Sequence, residues 1–342
     1  MNTNHFKVRI QCMTYNHAPY IVDAMNGFCM QQTDFPFLAV VVDDASTDGE
    51  PEVIKKYLAE HFDKEALDLP TPDETDEYVR VFARHKENKN CYFLVMFLKY
   101  NHYSTKKAKL TSIADLIRPI PYLALCEGDD YWIDSSKLQR QVEILEADVS
   151  LMAVATNSCQ VDKEKNLLLS EFDKVVPNNK EGRYDLRSFI NNNHRYPTAT
   201  VCYRRAHAEE ISAKMKRMSN GYYGDWPLWV CLHLYGDFFY LDCVTSAYRI
   251  NPTSVTHTYD RIGRAKVDWK VNKALHDILP DEYDDIRKAT KNTTWIWIEL
   301  GHAYGHERKY LPMSWCFLVA FFKNPKEMMG YFRRRRNKTA TS

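Results

Sequence analysis

No stretch of this chain stays apolar for the ~20 residues that a membrane-spanning helix needs. Its nine cysteines are scattered, mostly within apolar runs, and form neither a C-x-x-C pair nor a His/Cys spacing of the zinc kind. They read as buried thiols of a reducing compartment. An excess of one charge is missing too: 46 basic residues against 45 acidic leave a formal charge of +1, so the overall field marks no nucleic-acid partner. There is no internal repeat, and the first seven residues run into a strand without an apolar leader, so a cytoplasmic location is expected. What the 342 residues do contain, 45% hydrophobic and 27% charged, is enough to bury a full core in one large domain or two.

The apolar run 8–13 predicts a first strand, closed by the polar Thr14-Tyr15-Asn16-His17-Ala18-Pro19-Tyr20 and followed by a helix to about 30. The β-branched, unalternating run 37–42 predicts a strand covered on both faces, ended by Asp43-Asp44-Ala45-Ser46-Thr47-Asp48-Gly49. Strand, helix and strand at that spacing make a right-handed βαβ unit. Pro51 opens a helix through about 62. Residues 63–90 are dense in charge, hold Pro70 and Pro72, and predict an insertion or loop. Strands over 92–99 and 122–126 bracket a helix over about 106–117. Then follow a helix over 137–147, a strand over 151–156, a polar loop over 162–181, a short helix over 184–191 and a strand over 198–203. A helix starts near Asp225, two short strands cover 238–241 and 244–250, and the last ~85 residues fit two or three helices.

The stretch Glu127-Gly128-Asp129-Asp130-Tyr131-Trp132 directly follows a buried strand, so its carboxylates fall at a carboxyl end, where open α/β sheets bind ligands. Crowded carboxylates repel unless a cation joins them. Oxygen ligands in that number suit Mg²⁺ or Mn²⁺, ions that commonly share the phosphates of a nucleotide. The plainer reading is an acidic turn capping the helix that begins near Ser135. Asp225, after Tyr222-Tyr223-Gly224, likewise reads either as a helix cap or as a catalytic carboxylate. Near the end, the aromatic run 315–322 precedes Arg333 to Arg336. That pairing suits a segment lying on an anionic bilayer, and equally a helix packed on the core with a solvated basic tail.

Taken in order, Thr14-Tyr15-Asn16, Val42-Asp43-Asp44-Ala45-Ser46-Thr47-Asp48, Glu127-Gly128-Asp129-Asp130 and Gly224-Asp225-Trp226 resemble the motifs of the inverting, nucleotide-sugar-dependent glycosyltransferases of family 2. Glu127 to Trp132 followed by Lys137-Leu138-Gln139-Arg140-Gln141 is similar to a branch that builds bacterial surface polysaccharides such as lipopolysaccharide and capsule. The resemblance runs from about Phe6 to His257. It implies a GT-A, Rossmann-like fold: a mixed, mainly parallel sheet flanked by helices over 1–257, with a nucleotide-binding half to about 132, an acceptor half over 133–257 and a helical extension over 258–342. It implies a nucleotide-sugar donor, a glycan or lipid-linked acceptor, and Mn²⁺ or Mg²⁺. Thr14, Tyr15, Asn16, Asp43, Asp44, Glu127 and Gly128 are then the nucleotide site, with Asp43 accepting from the base, which favours UDP. Glu127 and Asp129 stand where the family has Asp-x-Asp, the glutamate being a departure. Asp129 is the first metal ligand and Asp130 the spare. Asp225 is the general base and Trp226 an acceptor platform. Arg249 or His257 is expected on the diphosphate, since Asn251 stands where relatives often have histidine. A nucleotidyltransferase would want a Gly-rich basic loop after the first strand, which residues 14–20 lack. A non-catalytic sugar-binding protein of the same fold is the other alternative. The expected location is cytoplasmic, with a possible peripheral contact on the anionic inner membrane through the C-terminus.

Overall fold

The computed structural model describes residues 5–65, 73–172, 179–191, 194–218, 225–250, 261–291 and 293–331. At its centre β1 (Val8–Thr14) and β2 (Phe37–Asp43) run parallel, paired from Val8 against Phe37 to Thr14 against Asp43. Every residue of β2 is buried, as its unalternating sequence predicts. Phe37, Ala39 and Val41 join a core with residues of α1 (Ile21–Cys29) and α2 (Glu50–His61), while Leu38, Val40 and Val42 join a second core on the opposite face. A strand's period of two divides the run between the layers.

The chain continues through β3 (Phe62–Lys64), β4 (Tyr78–His85), β5 (Cys91–Leu98), α3 (His102–Thr105), α4 (Ala114–Ile117), β6 (Tyr122–Leu125) and β7 (Tyr131–Trp132). Next come α5 (Lys137–Ala147), β8 (Leu151–Val161), β9 (Leu167–Leu169), β10 (Gly182–Tyr184), α6 (Leu186–Asn191), β11 (Cys202–Arg204), α7 (Ala208–Met218), α8 (Asp225–His233) and β12 (Asp237–Arg249). The sheet order is β10-β12-β8-β11-β6-β1-β2-β5-β4-β3, with β7 on β12 and β9 on β8. It is parallel along β6-β1-β2-β5 and between β8 and β12, and β11 lies antiparallel between β6 and β8.

Several predicted elements differ: the loop expected over 162–181 holds β9, the strand expected over 198–203 is a 3₁₀ turn (Thr198–Thr200) followed by β11, and three further differences have a clear physical cause. Residues 78–85, expected within a loop, form β4, an antiparallel edge strand on β5. Its inward positions Tyr78, Arg80 and Phe82 include an arginine, which masks the alternation; Arg80 is buried and its Nε lies 2.9 Å from the Asp73 carboxylate. The helix expected over 106–117 is broken into α3, a 3₁₀ turn (Thr111–Ile113) and α4. The two short strands expected over 238–250 are one strand, β12, whose register on β8 shifts between Leu241 and Val244, so the polar Asp242 sits at an irregularity rather than in a turn.

The chain forms two units, one of Met1–Ala208 with Tyr235–Asn251 and one of Glu209–Leu234 with Pro252–Ser342. The first holds the sheet. The second holds α8, most of α7, and α9 (Arg261–Ile278), α10 (Asp284–Lys291), α11 (Thr294–His306) and α12 (Tyr310–Lys323), with a last helix over 325–331. That is more helices than the two or three expected. A Cβ on Gly301 would lie 2.9 Å from the Phe317 ring, so glycine lets α11 and α12 approach closely.

Candidate active site

From β1 the chain passes to β2 on one side and returns to β6 on the other, which makes the carboxyl ends of β1 and β6 the switch point of the sheet. The path of β6 runs on beside β1: the Cys126 amide donates to the Gln11 carbonyl at 3.2 Å and the Gly128 amide to that of Met13 at 3.1 Å. Glu127, Gly128 and Asp129 therefore lie alongside Thr14. A Cβ at Gly128 would stand 2.2 Å from Thr14 Oγ1, so only glycine permits this approach.

Thr14 is held from below. Its hydroxyl donates to Glu50, a buried carboxylate at the start of α2, and lies 3.3 Å from His17 Nδ1. Glu50 also accepts the His17 amide at 2.8 Å and the Ser46 hydroxyl at 2.9 Å. The loops after β1 and β2 are closed on each other: the Asn16 amide donates to Ser46 Oγ (2.9 Å), Asn16 Oδ1 accepts the Thr47 amide (2.8 Å), and Asp48 accepts the Ala18 amide (2.9 Å). Asn16 has φ 58°, a left-handed conformation that asparagine tolerates better than most residues. Its side chain is thus engaged in shaping the loop, and Tyr15, 45% exposed, is the residue the loop presents.

Asp43 and Asp44 have different surroundings. Asp43 is 1% exposed; one of its oxygens is 3.4 Å from the Ser46 amide and the other, Oδ1, is buried with no partner. Burial lifts its carboxyl to about 6. The Asp44 carboxylate accepts the His102 amide at 2.6 Å and the Tyr103 amide at 3.1 Å, and pairs with Lys109 Nζ at 2.7 Å. Expected in the nucleotide site, its oxygens hold the segment after β5.

In the acidic stretch, burial and then the neighbouring Asp129 raise the Glu127 carboxyl to about 7. The same two causes, in that order, push Asp130 upward. Asp130 is buried and accepts the Arg249 amide at 2.8 Å, whereas Asp129 stays partly exposed, with His17 Nε2 3.9 Å from its carboxylate. Among the described residues no three carboxylate, histidine or cysteine side chains converge closely enough to hold a metal alone.

Arg249 departs from its expected place on a diphosphate. It is buried at the end of β12, with Nε on the Asp129 carbonyl (2.9 Å), one terminal nitrogen on the Lys163 carbonyl (3.0 Å) and the other on Asp23 (2.8 Å). The rings of Tyr20 and Tyr131 lie 4.5 and 5.3 Å from its guanidinium carbon. It is a strut under the acidic turn.

The structure thus gathers Thr14, Asp43, Glu127, Gly128, Asp129 and Asp130 at neighbouring strand ends. Asp225 and Trp226 open α8 in the other unit, where the Asp225 carboxylate accepts the Trp226 amide at 2.7 Å. His257 lies outside the described residues. Sequence reasoning missed His17, Glu50 and Lys109. His17 follows Thr14 in the same loop and was within reach; Glu50 and Lys109 meet their partners only through the fold.

No family model matches the chain. Two uncharacterized mycobacterial proteins, one from Mycobacterium bovis and one from Mycobacterium tuberculosis, are each 29% identical to it over 318 residues, 88% of this chain and 77% of theirs. Residues 1–349 of S. aureus TarS in complex with UDP superpose with a TM-score of 0.55 at 14% identity, covering 94% of this chain and 92% of that one. The UDP-GlcNAc complex gives 0.54 at 15%, over 95% and 89%. The mannosyltransferase PcManGT from Pyrobaculum calidifontis, in complex with GDP-Man and Mn²⁺, gives 0.50 at 14%, over 99% and 82%. The mixed α/β sheet with flanking and C-terminal helices is the fold of GT-A-like glycosyltransferases.

Proposed function

We propose that this chain is a metal-dependent, inverting glycosyltransferase. It moves a hexose or N-acetylhexosamine from a UDP-sugar to a hydroxyl of a glycan or lipid-linked acceptor, on the cytoplasmic side, in bacterial surface-polysaccharide assembly. The observation that carries this reading is the buried, unpartnered Oδ1 of Asp43, one strand away from the paired Glu127 and Asp129. Such an acceptor without a donor costs about 1–3 kcal/mol, and a nucleobase N–H offsets that cost. One free oxygen matches the single imide N–H of uracil, while the N1–H and amino group of guanine together call for two acceptors. Tyr15 offers a ring for stacking on the base. The nucleotides bound by TarS and PcManGT support a nucleotide-sugar donor, and the resemblance of residues 127–141 supports the polysaccharide class.

The donor set at the strand end fits a hard divalent cation: two neighbouring carboxylates, with burial and mutual repulsion raising Glu127. Asp129, backed by Glu127, would hold Mn²⁺ or Mg²⁺ together with the donor phosphates, and the ion supplies counter-charge to the leaving diphosphate. Arg249 keeps the Asp129 backbone in place, and Gly128 lets it come close to Thr14. Asp225 takes the proton of the acceptor hydroxyl as that oxygen attacks the anomeric carbon from the side opposite the diphosphate.

Incubation with a panel of UDP-sugars and Mn²⁺, with UDP release as readout, tests this. UDP is expected from at least one donor, and Asp129→Asn lowers the rate by about 100-fold or more. Release from no UDP-sugar, with or without glycan acceptors, overturns it.

A further inference from the structure

Two faces of α12 are apolar, and among the described residues only one is covered. Cys316 and Ala320 are buried, Met313 lies against Gly305 and Phe317 against Gly301. These residues attach the helix to α11. Leu311, Trp315, Leu318 and Phe322, spaced by four, three and four, line up along a second face and are 87%, 62%, 46% and 75% exposed. Tyr310 and Phe321 flank that row, also exposed. Residues 310–322 contain no charged side chain, and Lys309 and Lys323 stand at the two ends. A contiguous exposed face of this kind marks a contact with another phase or molecule.

Charge decides between the occupants. Residues 307–342 carry nine lysines and arginines against two glutamates, whereas residues 1–306 carry 37 basic and 43 acidic side chains. A second copy of the chain docked on this face about a twofold axis would bring two such basic segments together, and their repulsion opposes the contact. An anionic surface is complementary instead. The 14 residues of α12 span about 21 Å, short of the ~30 Å of a hydrocarbon core, and no described helix is long and apolar enough to cross a membrane. Aromatic rings on one side with lysines at the ends suit a helix lying in the interface plane.

We propose that α12 is a membrane-surface anchor. Leu311, Trp315, Leu318 and Phe322 enter the head-group boundary of an anionic bilayer, and the basic side chains of 323–338, Arg333 to Arg336 above all, engage its phosphates.

The test is flotation of the full chain with vesicles of phosphatidylcholine containing about 30 mol% phosphatidylglycerol, compared with neutral vesicles and with about 0.5 M NaCl. Wild type is expected to partition at least about ten-fold better to anionic vesicles at low salt. The double variant Leu311→Glu with Trp315→Glu loses at least about ten-fold of that binding, with circular dichroism and thermal midpoint unchanged. Glutamine at 333, 334, 335 and 336 weakens binding and flattens its salt dependence. Three results overturn the proposal: wild type that does not float, a double variant that floats as well as wild type, or sedimentation showing a wild-type dimer that the double variant makes monomeric. The last assigns the face to a second copy.

Discussion

A carboxylate that is 1% exposed and has one oxygen without a partner weakens the fold that contains it, and Asp43 is such a group. Burial raises its carboxyl from 3.8 to about 6, so the folded protein disfavours the charged form. The penalty, on the order of 2–3 kcal/mol, is complete above pH 6 and fades as the pH falls from about 6 toward 3.8. The ligand-free protein should therefore gain thermal stability between pH 7.5 and 5, and Asp43→Ala should reduce that gain, leaving the share that comes from Glu127, raised to about 7. Nucleotide binding should run the other way, because only the ionised carboxylate accepts at both oxygens. UDP affinity falls below pH 6, and Asp43→Ala costs about ten-fold or more at pH 7.5. Calorimetry of UDP with both proteins checks this, and unchanged affinity in the variant would remove Asp43 from the nucleotide site. The place of Asp43 at a strand end was legible because a buried apolar run stops there beside a second acidic residue. Its division of labour with Asp44 was not: the amides of His102 and Tyr103 and the Lys109 ammonium lie 58 to 65 positions away.

Among the elements, β12 carries the acidic turn on its end. The Arg249 guanidinium spans three acceptors on separate segments, the Asp129 and Lys163 carbonyls and the Asp23 carboxylate, while the Arg249 amide holds Asp130. A lysine lacks the planar fork to reach all three. Arg249→Lys is expected to destabilise the chain by about 3 kcal/mol, the usual scale for breaking a buried ion pair, and to weaken donor binding along with stability. A thermal midpoint measured beside UDP-sugar affinity separates this from a direct phosphate contact, which would lose affinity at an unchanged midpoint. Elements of uniform character, such as β2 with its seven buried residues, were readable from sequence. Elements whose buried side holds a polar group were not: Arg80 hides the inward face of β4, and the irregular register about Asp242 divides the pattern of β12. In both cases tertiary partners override the local signal.

For the molecule as a whole, the residues proposed to bind the donor all belong to the unit that contains the sheet, and Asp225 opens a helix of the other. Motif order along the sequence brought Asp225 into the reading, and its two roles, helix cap and base, lead to different outcomes for one substitution. Its carboxylate, on the first residue of α8, accepts the adjacent Trp226 amide at 2.7 Å. Asparagine caps a helix about as well as aspartate, but it cannot take a proton from an acceptor hydroxyl. Asp225→Asn should therefore leave the thermal midpoint and UDP affinity near wild type while lowering glycosyl transfer by about 10²–10⁴-fold. Retained transfer at wild-type rate would leave Asp225 as a cap alone and send the search for the base to another carboxylate. A loss of stability together with transfer would mean that the charge, rather than the proton, is what α8 requires at its first turn.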